Sequence, residues 1–92
     1  MSLQFWEHGN IARTTLRKTL RSQGHRALVG VLVDARQKAG LTQRELAARL
    51  KRPHSFVGRI EAGERRIDVV EFIEIARVLD LDPTKLFERV VG

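Results

Sequence analysis

The chain has 92 residues, of which 42% are hydrophobic and none is cysteine, so we expect one small domain without disulfides or thiolate metal sites. No apolar run approaches about 18 residues and no secretory signal opens the chain, so we expect no membrane span and no export. The formal net charge of +6 favours a polyanionic partner. These features indicate a soluble protein of the cytoplasm.

The charge is unevenly distributed along the chain. Residues 1–66 contain fourteen Lys and Arg and five Asp and Glu, whereas residues 67–92 contain three and six. A basic front and a mildly acidic back suit a domain that presents one face to phosphate groups.

Residues 1–24 form a separate N-terminal segment, for which we predict a helix or an arm. Ser22-Gln23-Gly24 predicts a break at its end. Its apolar residues are expected to pack against the domain, against a second subunit or against nothing ordered; they are Leu3, Phe5, Trp6, Ile11, Leu16 and Leu20.

The remaining chain shows helical spacing only. A helix is predicted from about Arg26 to Ala39, with Gly40 as its stop. Asp68 is the predicted N-cap of a later helix, and Asp82-Pro83 starts the last one. The predicted inward residues of these two helices are Val69, Phe72, Ile73, Ala76, Leu79, Leu86, Phe87 and Val90.

Two short helices with little linker between them lie in the middle of the chain. Thr42 and Glu45 have the spacing of a capping box at the start of the first. Pro53 suits the first position of the second helix, and Gly63 is a plausible stop. The apolar faces of the pair are Leu46, Ala47 and Leu50, followed by Val57 and Ile60. An ordinary helical hairpin is the alternative, but it does not explain so short a connection.

From Leu28 to Phe87 the pattern resembles the Cro/lambda-repressor-like helix-turn-helix family, also called the XRE family. The resemblance implies an all-α, compact five-helix DNA-binding domain over residues 25–92, with its motif at about 43–62. The second helix of such a motif enters the DNA major groove.

The resemblance also implies which residues contact DNA. Gln43 takes the place of a glutamine that clamps a phosphate. Arg59 is the best candidate for a specific contact, because its planar fork matches guanine O6 and N7. For Phe56, contact with a thymine methyl group and packing against the adjacent helix both stay open. The full expected set is Gln43, Arg44, Lys51, Arg52, His54, Ser55, Phe56, Arg59, Arg65 and Arg66.

Three positions have a structural expectation. Lys51 stands where the family usually has Gly, so a positive φ there costs on the order of 1 kcal/mol. Arg36 and Glu61 match a family ion pair that fixes the reading helix to the scaffold without contacting bases.

We therefore expect a sequence-specific transcriptional regulator, a repressor that binds a palindromic operator in double-stranded DNA as a homodimer. The alternative is an antitoxin that binds DNA and also binds a toxin protein, the toxin through residues 1–24. The three His have no metal-ligand spacing, so we expect no enzyme, metal or cofactor. The dimer contact is expected in the N-terminal segment, with Val90-Val91 as the alternative.

Overall fold

A computed structural model of the chain describes residues 22–92. In this range the chain forms five helices and no strand, as predicted: α1 (Gln23–Lys38), α2 (Gln43–Arg49), α3 (Ser55–Glu61), α4 (Val69–Val78) and α5 (Pro83–Val91). The N-terminal helix or arm predicted for residues 1–24 lies outside the described residues, apart from its last three. Among the described helices, none is long and apolar enough to cross a membrane.

The first helix begins at Gln23, earlier than predicted, so Gln23 and Gly24 lie in the helix and only Ser22 of the predicted break is non-helical. The Ser22 hydroxyl accepts a hydrogen bond from the His25 amide at 3.1 Å, which makes Ser22 the N-cap. At the other end Gly40 has φ 75°, and the Leu41 amide donates to the Arg36 carbonyl at 3.3 Å. This is the closure that a glycine stop provides.

All five helices contribute to one apolar core, and α3 contributes three of its seven residues. The helix α3 is therefore anchored along its length. The buried residues are Leu32, Ala35, Leu46, Ala47, Phe56, Val57, Ile60, Phe72, Ile75, Ala76, Leu79 and Leu86.

Two residues predicted to face inward are exposed. Val69 is 73% exposed because it opens α4, beyond the edge of the core. Phe87 is 54% exposed because α5 turns Leu86 inward, and about 100° of helix rotation separates neighbouring residues. The Phe87 ring meets Phe72 edge-on, with 6.0 Å between the ring centroids. Ile75, which the prediction omitted, is buried instead.

Candidate nucleic-acid interface

The capping box predicted at the start of α2 is present. The Glu45 amide donates to Thr42 Oγ1 at 3.0 Å, and the Thr42 amide donates to Glu45 Oε1 at 2.8 Å. The bond from the Thr42 amide stabilises the ionised carboxylate and lowers the pKa of Glu45. The short helix α2 thus has a fixed starting point.

The turn between α2 and α3 has the geometry expected from its sequence. Lys51 adopts φ 58°, in the left-handed region that Gly usually supplies. The Arg52 amide donates to the Ala47 carbonyl at 3.0 Å and closes the end of α2. Lys51 itself is exposed.

The helix α3 starts later than predicted. Pro53 lies two residues before it, and the Phe56 amide donates to the Pro53 carbonyl at 2.9 Å in the turn that precedes the helix. His54 is the N-cap residue but makes no side-chain capping bond. His54, Ser55 and Arg59 are exposed, as predicted. Together they form the accessible surface of α3 and its N-cap.

Phe56 belongs to the core and not to this exposed set. The residue is 8% exposed, which favours the packing alternative over a thymine contact. The guanidinium carbons of Arg52 and Arg65 lie over its ring, 4.7 and 4.8 Å from the centroid. Such stacking is favourable because the ring face is electron-rich.

Arg52 and Arg65, both predicted to contact DNA, form ion pairs with carboxylates in the structure. Arg65 donates to Glu71 Oε1 at 2.9 Å and to Glu71 Oε2 at 2.8 Å. Arg52 donates to Glu71 Oε2 at 3.3 Å and to Glu74 Oε1 at 3.4 Å. The Arg65 hydrogen bond is the main cause that lowers the pKa of Glu71 to about 2. Both side chains are still about one-third exposed, so their predicted contacts with DNA stay predictions.

Sequence reasoning missed Glu71. Its one signal is the spacing from Asp68, because the two residues form a second capping box at the start of α4. The Glu71 amide donates to Asp68 Oδ1 at 2.7 Å, and the Asp68 amide donates to Glu71 Oε1 at 3.1 Å. The side chain that caps α4 therefore also binds two arginines beside α3.

The ion pair predicted between Arg36 and Glu61 is present. Arg36 Nε lies 2.7 Å from Glu61 Oε2, and Nη2 lies 3.0 Å from Oε1. The hydrogen bonds that Arg36 donates to Glu61 raise the pKa of Arg36. Gln43 Nε2 also donates to Glu61 Oε1 at 2.8 Å. The C-terminal end of α3 is thus tied to both α1 and α2.

Gly58 permits the close approach of α2 and α3. A Cβ atom at this position would lie 3.2 Å from Gln43 Oε1, which is tighter than ordinary van der Waals contact. The absence of a side chain at Gly58 therefore leaves room for the Gln43 amide to reach Glu61.

The remaining expected DNA-binding residues are exposed. Within residues 22–92 no carboxylate forms a salt bridge with the four basic ones, Arg44, Lys51, Arg59 and Arg66. The accessible residues of the expected set are Gln43, Arg44, Lys51, His54, Ser55, Arg59 and Arg66.

The fold and the motif match known proteins. A family model described as helix-turn-helix matches residues 32–86. An XRE-family-like protein from Pseudomonas syringae pv. tomato is 46% identical, with a TM-score of 0.73, over 80% of this chain and 90% of that one. The restriction-modification controller protein C.Esp1396I has the same fold at 21% identity, with a TM-score of 0.71, over 77% and 91%. No curated protein matches the chain.

Proposed function

The chain belongs to the XRE family of helix-turn-helix proteins, a family of DNA-binding transcriptional regulators, and we propose that it is a repressor that binds a palindromic operator as a homodimer. The observation that carries this proposal is the exposed side of α3. It presents His54, Ser55 and Arg59 on a helix that is buried on its other side and tied at its end through Glu61.

Arg59 is the proposed base reader. Its side chain is exposed and makes no salt bridge with a described residue, so its donors are available to the guanine edge. His54 and Ser55 precede it at the N-terminal end of α3, where recognition helices of this motif contact bases. We assign these two to neighbouring base or phosphate contacts.

The phosphate contacts are assigned to exposed residues around α3. Arg44, Lys51 and Arg66 are exposed and have no carboxylate in a salt bridge among the described residues. Gln43 joins them by resemblance to the family, with its amide already oriented by Glu61. Arg52 and Arg65 are left out of this set because Glu71 holds them.

Two subunits are needed because one recognition helix covers few base pairs. A two-fold dimer places two such helices roughly 34 Å apart, one turn of DNA. The described surface exposes Phe87 and Val91 on α5, at 54% and 73%. Phe87 lines one groove together with Leu28, Val69, Phe72 and Val90, and a contiguous exposed apolar patch often marks a subunit contact. We therefore propose the dimer contact on α5, which contains the Val90-Val91 alternative, while the contact expected in the N-terminal segment stays a prediction.

Selection of bound sequences from a random duplex pool tests the proposal. We expect enrichment of a palindrome whose half-sites are about 10 base pairs apart, centre to centre. An enriched single half-site would contradict the dimer and leave specific binding in place. A pool that stays random under conditions where the protein binds DNA would contradict sequence-specific regulation.

A further inference from the structure

The N-terminal end of the recognition helix is supported by a polar cluster in which Glu71 is central. Glu71 is 6% exposed and is the buried charged residue of the described chain. Its carboxylate accepts hydrogen bonds from Arg65, Arg52 and the Asp68 amide. Removing the carboxylate charge would leave two arginines without their strongest partner.

The cluster is connected to α3 through an aromatic ring. Phe56 is the second residue of α3, and the guanidinium groups of Arg52 and Arg65 lie over its ring. Because Phe56 is buried in the first turn of α3, a shift of the two guanidinium groups over its ring would also shift that turn. Since α3 has seven residues, a shift of its first turn also moves the side chains of His54 and Ser55.

The same contacts determine which positive charges are available to DNA. The side chains of Arg52 and Arg65 are 33% and 32% exposed, so either could reach a phosphate if it were released. Phosphate contacts strengthen binding to every sequence and add to its salt dependence. A carboxylate that holds both arginines therefore limits binding to non-operator DNA.

We propose that Glu71 is a specificity-determining positioning residue of the DNA interface. By holding Arg52 and Arg65 over Phe56, it orients the first turn of α3 and keeps two guanidinium groups from the DNA backbone. Operator binding is then favoured over non-specific binding. This inference rests on the proposed function, since it concerns discrimination between an operator and other DNA.

Glu71→Gln tests the inference, with Glu74→Gln as the matched control. Both changes remove one negative charge beside Arg52, but Glu74 is exposed and does not contact Arg65. The affinity for the selected operator and for a random duplex is measured as a function of salt. For Glu71→Gln we expect the ratio of the two affinities to fall about tenfold, as one misplaced base contact would cause. The salt slope for random DNA should steepen by about one or two.

Glu74→Gln should leave both quantities close to wild type. The role of Glu71 would be overturned if Glu71→Gln and Glu74→Gln had the same ratio of operator to random-DNA affinity and the same salt slope for random DNA. If the wild-type protein itself does not distinguish the selected operator from random DNA, the proposed function fails first. The two failures are therefore distinguishable.

A second variant keeps the test valid if Glu71→Gln does not fold. Arg65→Gln combined with Glu71→Gln removes both charges of the closest pair, so neither is left buried alone. Arg52 is still released in this double variant. We expect the random-DNA salt slope to steepen by about one and the affinity ratio to fall. A slope and ratio like those of Glu74→Gln would overturn the inference.

Discussion

Arg36 and Glu61 are 25 residues apart in sequence, yet they form a two-bonded ion pair with Arg36 Nε 2.7 Å from Glu61 Oε2. Their side chains are only 12% and 9% exposed, so water competes weakly for the pair. Arg36 also donates to the Leu41 carbonyl at 2.8 Å. One side chain therefore connects α1, the loop before α2 and the end of α3.

This geometry predicts that the two residues stabilise the fold jointly. Arg36→Ala and Glu61→Ala should each lower the free energy of unfolding by about 3 kcal/mol, because each leaves a buried charge without its partner. The double variant should cost about 1–2 kcal/mol less than the sum. Urea unfolding of the four proteins measures this, and strictly additive costs would contradict the coupling.

Lys51 provides a separate test of backbone strain and DNA contact. Lys51→Gly should raise the free energy of unfolding by about 0.5–1 kcal/mol, because glycine adopts a φ of 58° without steric cost. The same change should lower the salt slope of DNA binding by about one, since a phosphate contact is lost. Urea unfolding measures the change in the free energy of unfolding. Binding titrations at several salt concentrations measure the salt slope.

Asp80→Gly is the matched control for Lys51→Gly. Asp80 also has a positive φ, 62°, but it lies after α4, outside the motif. Asp80→Gly should raise the free energy of unfolding without changing the salt slope of DNA binding. If Lys51→Gly leaves the salt slope at the wild-type value, Lys51 does not contact phosphate.

The pKa of Glu71 predicts a component of acid unfolding. Its folded pKa of about 2 is below the ordinary value of 4.5, so its stabilisation is fully present above about pH 5. It is lost as the pH falls from 4.5 towards 2. The loss is on the order of 3 kcal/mol at most. Wild type should therefore lose more stability than Glu71→Gln between pH 5 and 2.5, measured by urea unfolding at each pH. If the free energy of unfolding fell in parallel with pH for the two proteins, Glu71 would not be the cause of this loss of stability in acid.

The dimer contact proposed on α5 predicts the effect of a charge there. Phe87→Glu should yield a folded monomer, because the ring is 54% exposed and burial of a charge at a subunit contact is unfavourable. A chain of residues 22–92 should remain a dimer. Light scattering across a concentration series measures both, and a monomeric 22–92 chain would move the contact to the N-terminal segment.

The order of the helices and several of their ends could be predicted from the sequence because they depend on local chemistry. Thr42, Asp68 and Asp82 are caps whose partners lie two or three residues away. Gly40 ends α1 by its own backbone conformation. Such signals need no knowledge of the tertiary structure.

The errors arise where tertiary packing decides. Helical spacing placed Val69 and Phe87 on inward faces, but it cannot indicate how far along a helix the core extends. The sequence also could not indicate that Arg52 and Arg65 pair with Glu71 and stack on Phe56, because Glu71 is brought to them only by the packing of α4.

The central claim is that α3 reads base sequence through Arg59. Selection from a random duplex pool with wild type, Arg59→Ala and Arg77→Ala tests it most directly. Arg77 is an exposed arginine on α4, so its loss changes the net charge equally. We predict that Arg59→Ala loses preference at one position of each half-site and binds the wild-type operator about 1–3 kcal/mol more weakly, while Arg77→Ala selects the wild-type sequence. Selection of the unchanged operator by Arg59→Ala, with unchanged affinity, would contradict the account.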